Sequence, residues 1–339
     1  ELVKNIHYKD IGPDISHIRN QNGVVLKTSR ANPGKNIKAM DDLNNPDKNA
    51  QLRGIMDAMH YLEIDALVSI GGDDTLKTAN YLWLMGFPMI HIPKTIDNDY
   101  YGIPWTFGYW TAVDYAQKIM LNLRADAQST DSFFIVELMG RKAGWITYAA
   151  GIASEAIMMI SAEDIGALTL DIDNMVEKIV DLIILRQKRD RPYGIIAISE
   201  GIVDRLPEKM KPTERDRHGN LIYGEARIST IVTDRCREVY RQRTGKEVKI
   251  LPKQVGYETR AGMPLAFDVV LGSMLGYGAA RFCQEGRFGV MVSVTDDFNI
   301  KAVPFSDLID PATLYTRLRD VPRGCDLYNL KEKLSYKDV

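Results

Sequence analysis

Residues 65–82 read DALVSIGGDDTLKTANYL. An apolar run of strand length meets two glycines and then a helix-like segment from about Thr75, so the stretch reads as a buried strand, a tight turn and a helix. Gly71 and Gly72 let the backbone turn sharply and approach a ligand, and a helix starting here aims its first N–H groups at an anion. Asp73 and Asp74 follow at once, which suits an anion only if a cation stands between. The other reading is a plain strand–helix turn with Asp73 or Asp74 as N-cap. This stretch alone leaves both open.

The same pattern repeats along the chain. PMIHI (88–92) reads as a strand running into the loop PKTIDNDYYG, followed by a helix over about Tyr109 to Ala127 and the strand SFFIVELM (132–139). GRKAG leads to a helix near 143–154, the short strand AIMMI (156–160) and a helix near 172–187. Then come the strand GIIAIS (194–199), an exposed loop over 206–220, a helix, a crossing strand near 253–258, a helix from about 265 to 285 and a last strand near 288–295. This alternation predicts an α/β fold with mainly parallel sheets covered by helices on both faces. Ligands of such sheets bind at the carboxyl ends of the strands. The loops that look chemical, GGDDT, PKTIDND, MGRKAG, SEG and YETRAG, all follow strands and are expected to converge on one cleft.

Bulk properties narrow the class. The 339 residues suffice for two α/β domains, and 45% hydrophobic with 26% charged residues is ordinary for a soluble globular protein. A formal charge of −2 argues against nucleic acid or an anionic membrane as partner, and no apolar run is long enough to span a bilayer. The three cysteines lack metal-site spacing, which fits a reducing cytoplasm, and five scattered histidines do not suggest zinc. No GxGxxG opens a helix after a strand, which disfavours a nucleotide-binding dehydrogenase.

The second loop decides between the readings of the first. PKTIDND sets Lys94, Thr95, Asp97 and Asp99 within six residues. Phosphoryl transfer needs such a set: a base near the attacking hydroxyl, a metal at the phosphate oxygens, and cationic or hydroxyl groups on the transferred group. In extended backbone Thr95, Asp97 and Asp99 would project to the same side.

GGDDT and PKTIDND, followed in order by FGYWTAVDYA, VELMGRKAGW, ISEG and GYETRAG, resemble the phosphofructokinase superfamily from about Gly23 to about Pro311. GGDxT alone is weak, since NAD kinases and lipid kinases carry a similar element. The resemblance implies two Rossmann-like three-layer domains. Residues 1–108 with 259–303 would form the phosphoryl-donor domain, and 109–258 with 304–339 the sugar-phosphate domain. Asp97 would be the general base and Asp99 its acidic companion, with Thr95 on the transferring group and Lys94 on the donor. Asp73 would hold Mg2+ through water. Gly71, Gly72, Asp74, Thr75 and Arg30 would contact the donor. Met139, Gly140 and Arg141 would bind the sugar, with Arg141 also steadying phosphoryl charge. Glu200 would accept from sugar hydroxyls, and Tyr257, Arg260 and Lys253 would hold the sugar's far phosphate. The resemblance further implies a cytoplasmic homodimer or homotetramer.

Asp74 bears on the donor. ATP-using members typically carry glycine there and often at the position of Lys94, leaving room for the α-phosphate. A carboxylate at ~4 Å and an effective dielectric of ~20 repels that phosphate by about 4 kcal/mol, and Lys94 offers a point charge to a compact donor. Pyrophosphate is therefore the expected donor and fructose 6-phosphate the expected acceptor, with ATP, or another sugar or polyol, as alternatives. Three departures from the family pattern stand out. The sequence opens on ELVKNIHYKD without an initial strand and glycine-rich loop, and residues of the natural protein are expected to precede it. Ser132 and Leu251 occupy positions where many members offer arginine to a neighbouring subunit's sugar phosphate, with Lys249 and Lys253 near the second. Tyr257 replaces a histidine. A regulatory subunit without catalysis would be expected to break GGDD or PKTIDND, and both are intact.

Overall fold

The computed structural model describes residues 18, 20–25, 27–29, 31–215 and 221–335. Arg30, residues 216–220 of the expected exposed loop and the chain's first residues lie outside them.

Among the described residues a 3-10 turn over Met40–Asn44 leads into the first α-helix, α1 (Pro46–Tyr61), whose start is set by Asn45: its side chain accepts from Asp47 N at 3.0 Å, and Pro46 occupies the first turn. Then follow β1 (Leu67–Gly71), α2 (Asp73–Leu84), β2 (Met89–Pro93), α3 (Tyr109–Thr130), β3 (Phe133–Leu138) and α4 (Trp145–Ala153). The middle of the chain gives β4 (Met158–Ile160), α5 (Ala162–Ile165), α6 (Ile172–Lys188), β5 (Gly194–Ser199), α7 (Ile228–Thr244) and β6 (Ile250–Val255). Last come α8 (Ala266–Gln284), β7 (Val290–Val294), β8 (Ile300–Pro304), α9 (Phe305–Leu308) and α10 (Asp326–Leu334).

Among the described residues two four-stranded sheets result, ordered β1-β2-β7-β8 and β4-β5-β3-β6. Every pairing is parallel except β7 with β8, which fold back as a hairpin. The last strand is therefore β8, not the expected one near 288–295. The crossing strand lies three residues earlier than expected, because β6 is an edge strand and accommodates Pro252, which has no N–H to offer a second neighbour.

The second sheet shows why its strands are unbroken apolar runs. Phe134, Val136 and Leu138 face a core with α3 and α4, while Phe133 and Ile135 face another with α6 and α7. Successive side chains point to opposite faces, and helices cover both. The first sheet has its own core, built on Leu76, Ile90, Leu275, Phe282 and Val292. Phe305, Leu308, Ile309 and Leu314 pack into it, whereas Val321, Leu327 and Tyr328 pack into the second sheet's core. Along this stretch the buried side chains pass from one core to the other between 314 and 321, and Pro304 turns directly into α9, which keeps Phe305 on the first core.

One buried carboxylate joins the halves. Asp268, in the first turn of α8, accepts from Gly108 N and Thr111 N, both at 2.8 Å, and from the Thr111 hydroxyl. It supplies the N-terminal acceptor that Gly108, the N-cap of α3, lacks. Replacing Asp268 by Ala leaves two amides without their acceptor, at 1–3 kcal/mol per buried group. We expect Asp268→Ala to lower unfolding stability by on the order of 3 kcal/mol in urea titration, and a loss under about 0.5 kcal/mol would contradict this account.

Candidate active site

The C-terminal ends of β1, β2 and β3 face one cleft of about 980 Å³, lined by Gly72, Asp73, Lys94, Thr95, Asp97, Asp99, Arg141 and Arg260, and along its far wall by α8; the loop after β5 does not line it and stands behind Arg141. Gly72 is the N-cap of α2, so the helix starts at Asp73 rather than near Thr75, and both acids stand in its first turn. Gly71 is required because Thr75 sits over it: a Cβ there would meet the Thr75 hydroxyl at 2.3 Å. The Gly71 carbonyl accepts from Lys94 N at 2.8 Å and from the Tyr100 hydroxyl at 3.1 Å, which ties the first loop to the second. Behind it, the imidazole of His91 bridges Ser69 (2.9 Å) and Tyr100 (3.1 Å), and burial pushes its pKa down to about 3, so the ring is neutral.

PKTIDND is bent, not extended. The Thr95 hydroxyl accepts from Asp97 N and donates to Asp97 Oδ2, each at 3.1 Å, and Asn98 adopts φ +53°. The expected alternation is replaced by a turn that Asn tolerates better than most residues. Asp97 and Asp99 are only 4% and 5% exposed, and Asp97 Oδ1 has no hydrogen-bond partner. Burial raises the pKa of Asp97; Arg141, Arg260 and the Thr95 hydroxyl oppose it, and the negative charge of Asp73 adds to it. Asp99 is pushed well above the carboxylate range by burial, then by Asp97 and Asp73. Burial and the positive charge of Arg260 lower Lys94, against the pull of Asp97.

Arg141 enters from the loop after β3. Its Nη1 donates to Asp73 Oδ1 at 3.1 Å, and its Nε lies 3.9 Å from Asp97 Oδ2. Burial works against its charge, but the four aspartates around the loops outweigh burial and hold it protonated. Its backbone, at φ +47°, is fastened by Glu200, whose Oε1 accepts from Arg141 N (3.0 Å) and Gly140 N (3.3 Å). A Cβ on Gly201 would meet the Arg141 carbonyl at 1.9 Å, so the two loops touch only because residue 201 is glycine. Burial lifts Glu200 to about 7, partly offset by those amides.

Several expected site residues lie elsewhere. Asp74 does not line the cleft, and its carboxylate meets Lys77 Nζ at 3.2 Å. Met139 is half-buried outside the cleft lining, with its N–H donating to Val255 O at 3.4 Å. Tyr257 is 67% exposed, with the Arg260 guanidinium over its ring at 5.5 Å. Lys253 is exposed on β6, opposite Val136. Ser132 is buried beside Thr130, and Leu251 packs against the second core, both away from the cleft. Asp268 and Arg319, by contrast, support the loops and gave no sequence signal, since an acid in a helix's first turn and an arginine in a polar stretch are commonplace.

A family model for phosphofructokinase matches residues 2–283. The chain belongs to the phosphofructokinase family. The pyrophosphate–fructose 6-phosphate 1-phosphotransferase of Thermotoga maritima is 32% identical over 335 residues, covering 94% of this chain and 76% of its own length. The ATP-dependent 6-phosphofructokinase of Corynebacterium efficiens is 33% identical over 300 residues, covering 87% and 78%. A pyrophosphate-dependent phosphofructokinase structure from Marinobacter aquaeolei has a TM-score of 0.67 at 18% identity, over 96% of this chain and 78% of that one. That likeness concerns the phosphofructokinase fold alone.

The raised pKa of Glu200 makes stability fall with rising pH. Between its ordinary 4.5 and about 7 the folded state holds more protons than the unfolded one, so this contribution is complete below 4.5 and lost as pH passes 7. The limiting slope is about 1.4 kcal/mol per pH unit. Glu200→Gln is expected to flatten that part of the urea-unfolding profile, and an unchanged slope would count against a buried titrating carboxyl.

Proposed function

We propose that the chain moves a phosphoryl group from pyrophosphate to the 1-hydroxyl of fructose 6-phosphate, yielding fructose 1,6-bisphosphate and phosphate in a reversible reaction. The observation that carries this is Asp97: a buried carboxylate with one oxygen unpartnered, in a cleft that also holds Arg141 and Lys94. Its pKa, raised mainly by burial, suits a general base. It would take the proton as the sugar oxygen attacks phosphorus, while the bridging P–O bond breaks and phosphate leaves. Arg141 and Lys94 would hold the charge that develops on the transferring oxygens. Family membership and the relatives named for this transfer support an enzyme, a phosphotransferase.

The acids fit Mg2+. Burial first, and then the negative charge of Asp73, raises the proton affinity of Asp97, and burial, Asp97 and Asp73 raise that of Asp99, so an added cation would be favoured there. Among the described residues no three acids, histidines or cysteines are grouped to hold a metal by themselves. Mg2+ characteristically takes one or two carboxylates and fills its shell with water and substrate phosphates. Asp73 would hold it, and the ion would neutralise donor phosphate oxygens.

ATP as donor is the second reading, and one observation favours it: Asp74 turns to Lys77, so much of its charge is answered outside the cleft. The expected repulsion is weakened accordingly, and pyrophosphate then rests on Lys94 and on likeness to relatives named for it. The acceptor site would rest on Arg260, Glu200 and the Gly140–Arg141 backbone, and we place a homodimer or homotetramer within the same reading.

A coupled assay of fructose 1,6-bisphosphate with Mg2+ and fructose 6-phosphate, run in parallel with each donor, separates the readings. We expect product with pyrophosphate; product with ATP alone would overturn the donor assignment. Asp97→Asn should lower kcat by about 10²–10⁴-fold, and a small drop with an unchanged pH profile would remove Asp97 as the base.

A further inference from the structure

Between α9 and α10 the chain runs without a helix or strand of its own, yet it touches both loops that build the site. Leu318 forms an isolated bridge with Tyr100, and Arg319 N donates to Asp99 O at 2.7 Å. The Arg319 side chain then reaches under the second loop. Its Nη2 donates to Asn98 O at 3.0 Å and to Pro104 O at 2.8 Å. The same guanidinium lies 4.6 Å from the Trp145 ring, and Trp145 Nε1 donates back to Arg319 O at 2.9 Å.

These contacts join two places that matter. Asn98 sits between Asp97 and Asp99 in the left-handed region, with its side-chain oxygen accepting from Thr106 N at 3.0 Å. Its peptide is thus held on the side-chain side by Thr106 and on the carbonyl side by Arg319. Trp145 opens α4, four residues after Arg141, and the turn between them is closed by Ala143 N on Gly140 O (3.1 Å). Glu163 secures the same corner, accepting from Gly144 N (2.8 Å) and Val321 N (3.0 Å).

We propose that Arg319 is a positioning residue that sets the separation of the Asp97–Asp99 loop from the Arg141 loop. This rests on the phosphoryl-transfer reading of the site. The residue type follows from the geometry. A planar guanidinium can give two carbonyls a hydrogen bond while its face stacks on an indole, and an ammonium cannot do both. Nothing in the contacts brings Arg319 into the cleft, so it acts through the loops and not on substrate. Proximity effects are steep: a displacement of about 1 Å costs about 10²-fold in rate.

The test uses the full chain with steady-state kinetics. Arg319→Ala should lower kcat by about 10–100-fold while KM for each substrate stays within about threefold. Ethylguanidine at millimolar concentration should restore part of kcat, and ethylamine should not. Amide exchange over residues 94–108 should quicken in the variant. If Arg319→Ala does not fold, Arg319→Lys, which keeps the stem and one donor group, must show the same kcat-selective loss. A folded Arg319→Lys or Arg319→Ala with wild-type kcat overturns the proposal, as does a loss confined to KM or rescue by both additives alike. The exchange arm is read even if the wild-type chain transfers no phosphoryl group, so unchanged exchange sinks the proposal, whereas a silent wild-type assay sinks only the functional reading.

Discussion

Three buried or half-buried carboxylates, Asp73, Asp97 and Asp99, share one guanidinium, that of Arg141. Opposite unit charges at about 4 Å attract by about 4 kcal/mol at an effective dielectric near 20, and like charges repel by as much. Arg141 alone therefore cannot settle three acids withdrawn from water, and Arg260, which also bears on Asp97, offsets its burial only in part. The shortfall shows as proton affinity: burial pushes up both Asp97 and Asp99, Asp73 adds to the first, and Asp97 and Asp73 add to the second. A site in that state favours any added cation that also brings phosphate oxygens, which is the chemistry we propose for it.

Such a cluster persists only if the backbone around it is held from behind. Each loop has its own fastening, and each comes from a distant part of the chain. Tyr100 and Lys94 hold Gly71 O, Glu200 holds the amides of Gly140 and Arg141, and Asp268 holds the start of α3. Buried backbone groups must find partners, so these loops are kept in place by the same bonds that satisfy them. The positive φ at Asn98 and Arg141 is stable in that setting because the neighbouring contacts leave the peptides few alternatives.

The elements were legible where sequence and burial agree. SFFIVELM and GIIAIS are apolar runs because their strands are covered on both faces, whereas DALVSI forms an edge strand that is half-buried with Ile70 49% exposed, and each appears within a residue or two of its expected place. Helix α1 has Asn45 and Pro46 at its start, but its apolar stripe is thin and its buried residues are Asn49 and Leu52, so hydrophobic periodicity does not mark it. The β6 strand starts three residues before its expected place, because Pro252, Lys253 and Gln254 look like loop and an edge strand permits them. The residue spacing of PKTIDND suggested an extended arm, and the Thr95–Asp97 hydrogen bonds make it a turn.

By itself the sequence determined the α/β alternation, the loops that carry the chemistry, and Asp73, Lys94, Thr95, Asp97, Asp99 and Arg141 as the residues to look at, because those signals are local: apolar runs, glycine turns and charge within a few residues. The tertiary structure alone decided which of them meet. It turned Asp74 toward Lys77 and left Tyr257 and Lys253 outside the cleft lining. It also brought Asp268 and Arg319 to the loops across separations of about 160 and 220 residues. Such long-range hydrogen bonds have no periodicity to betray them. They exist because bringing these loops and helix starts together leaves buried amides and carbonyls that some side chain must satisfy.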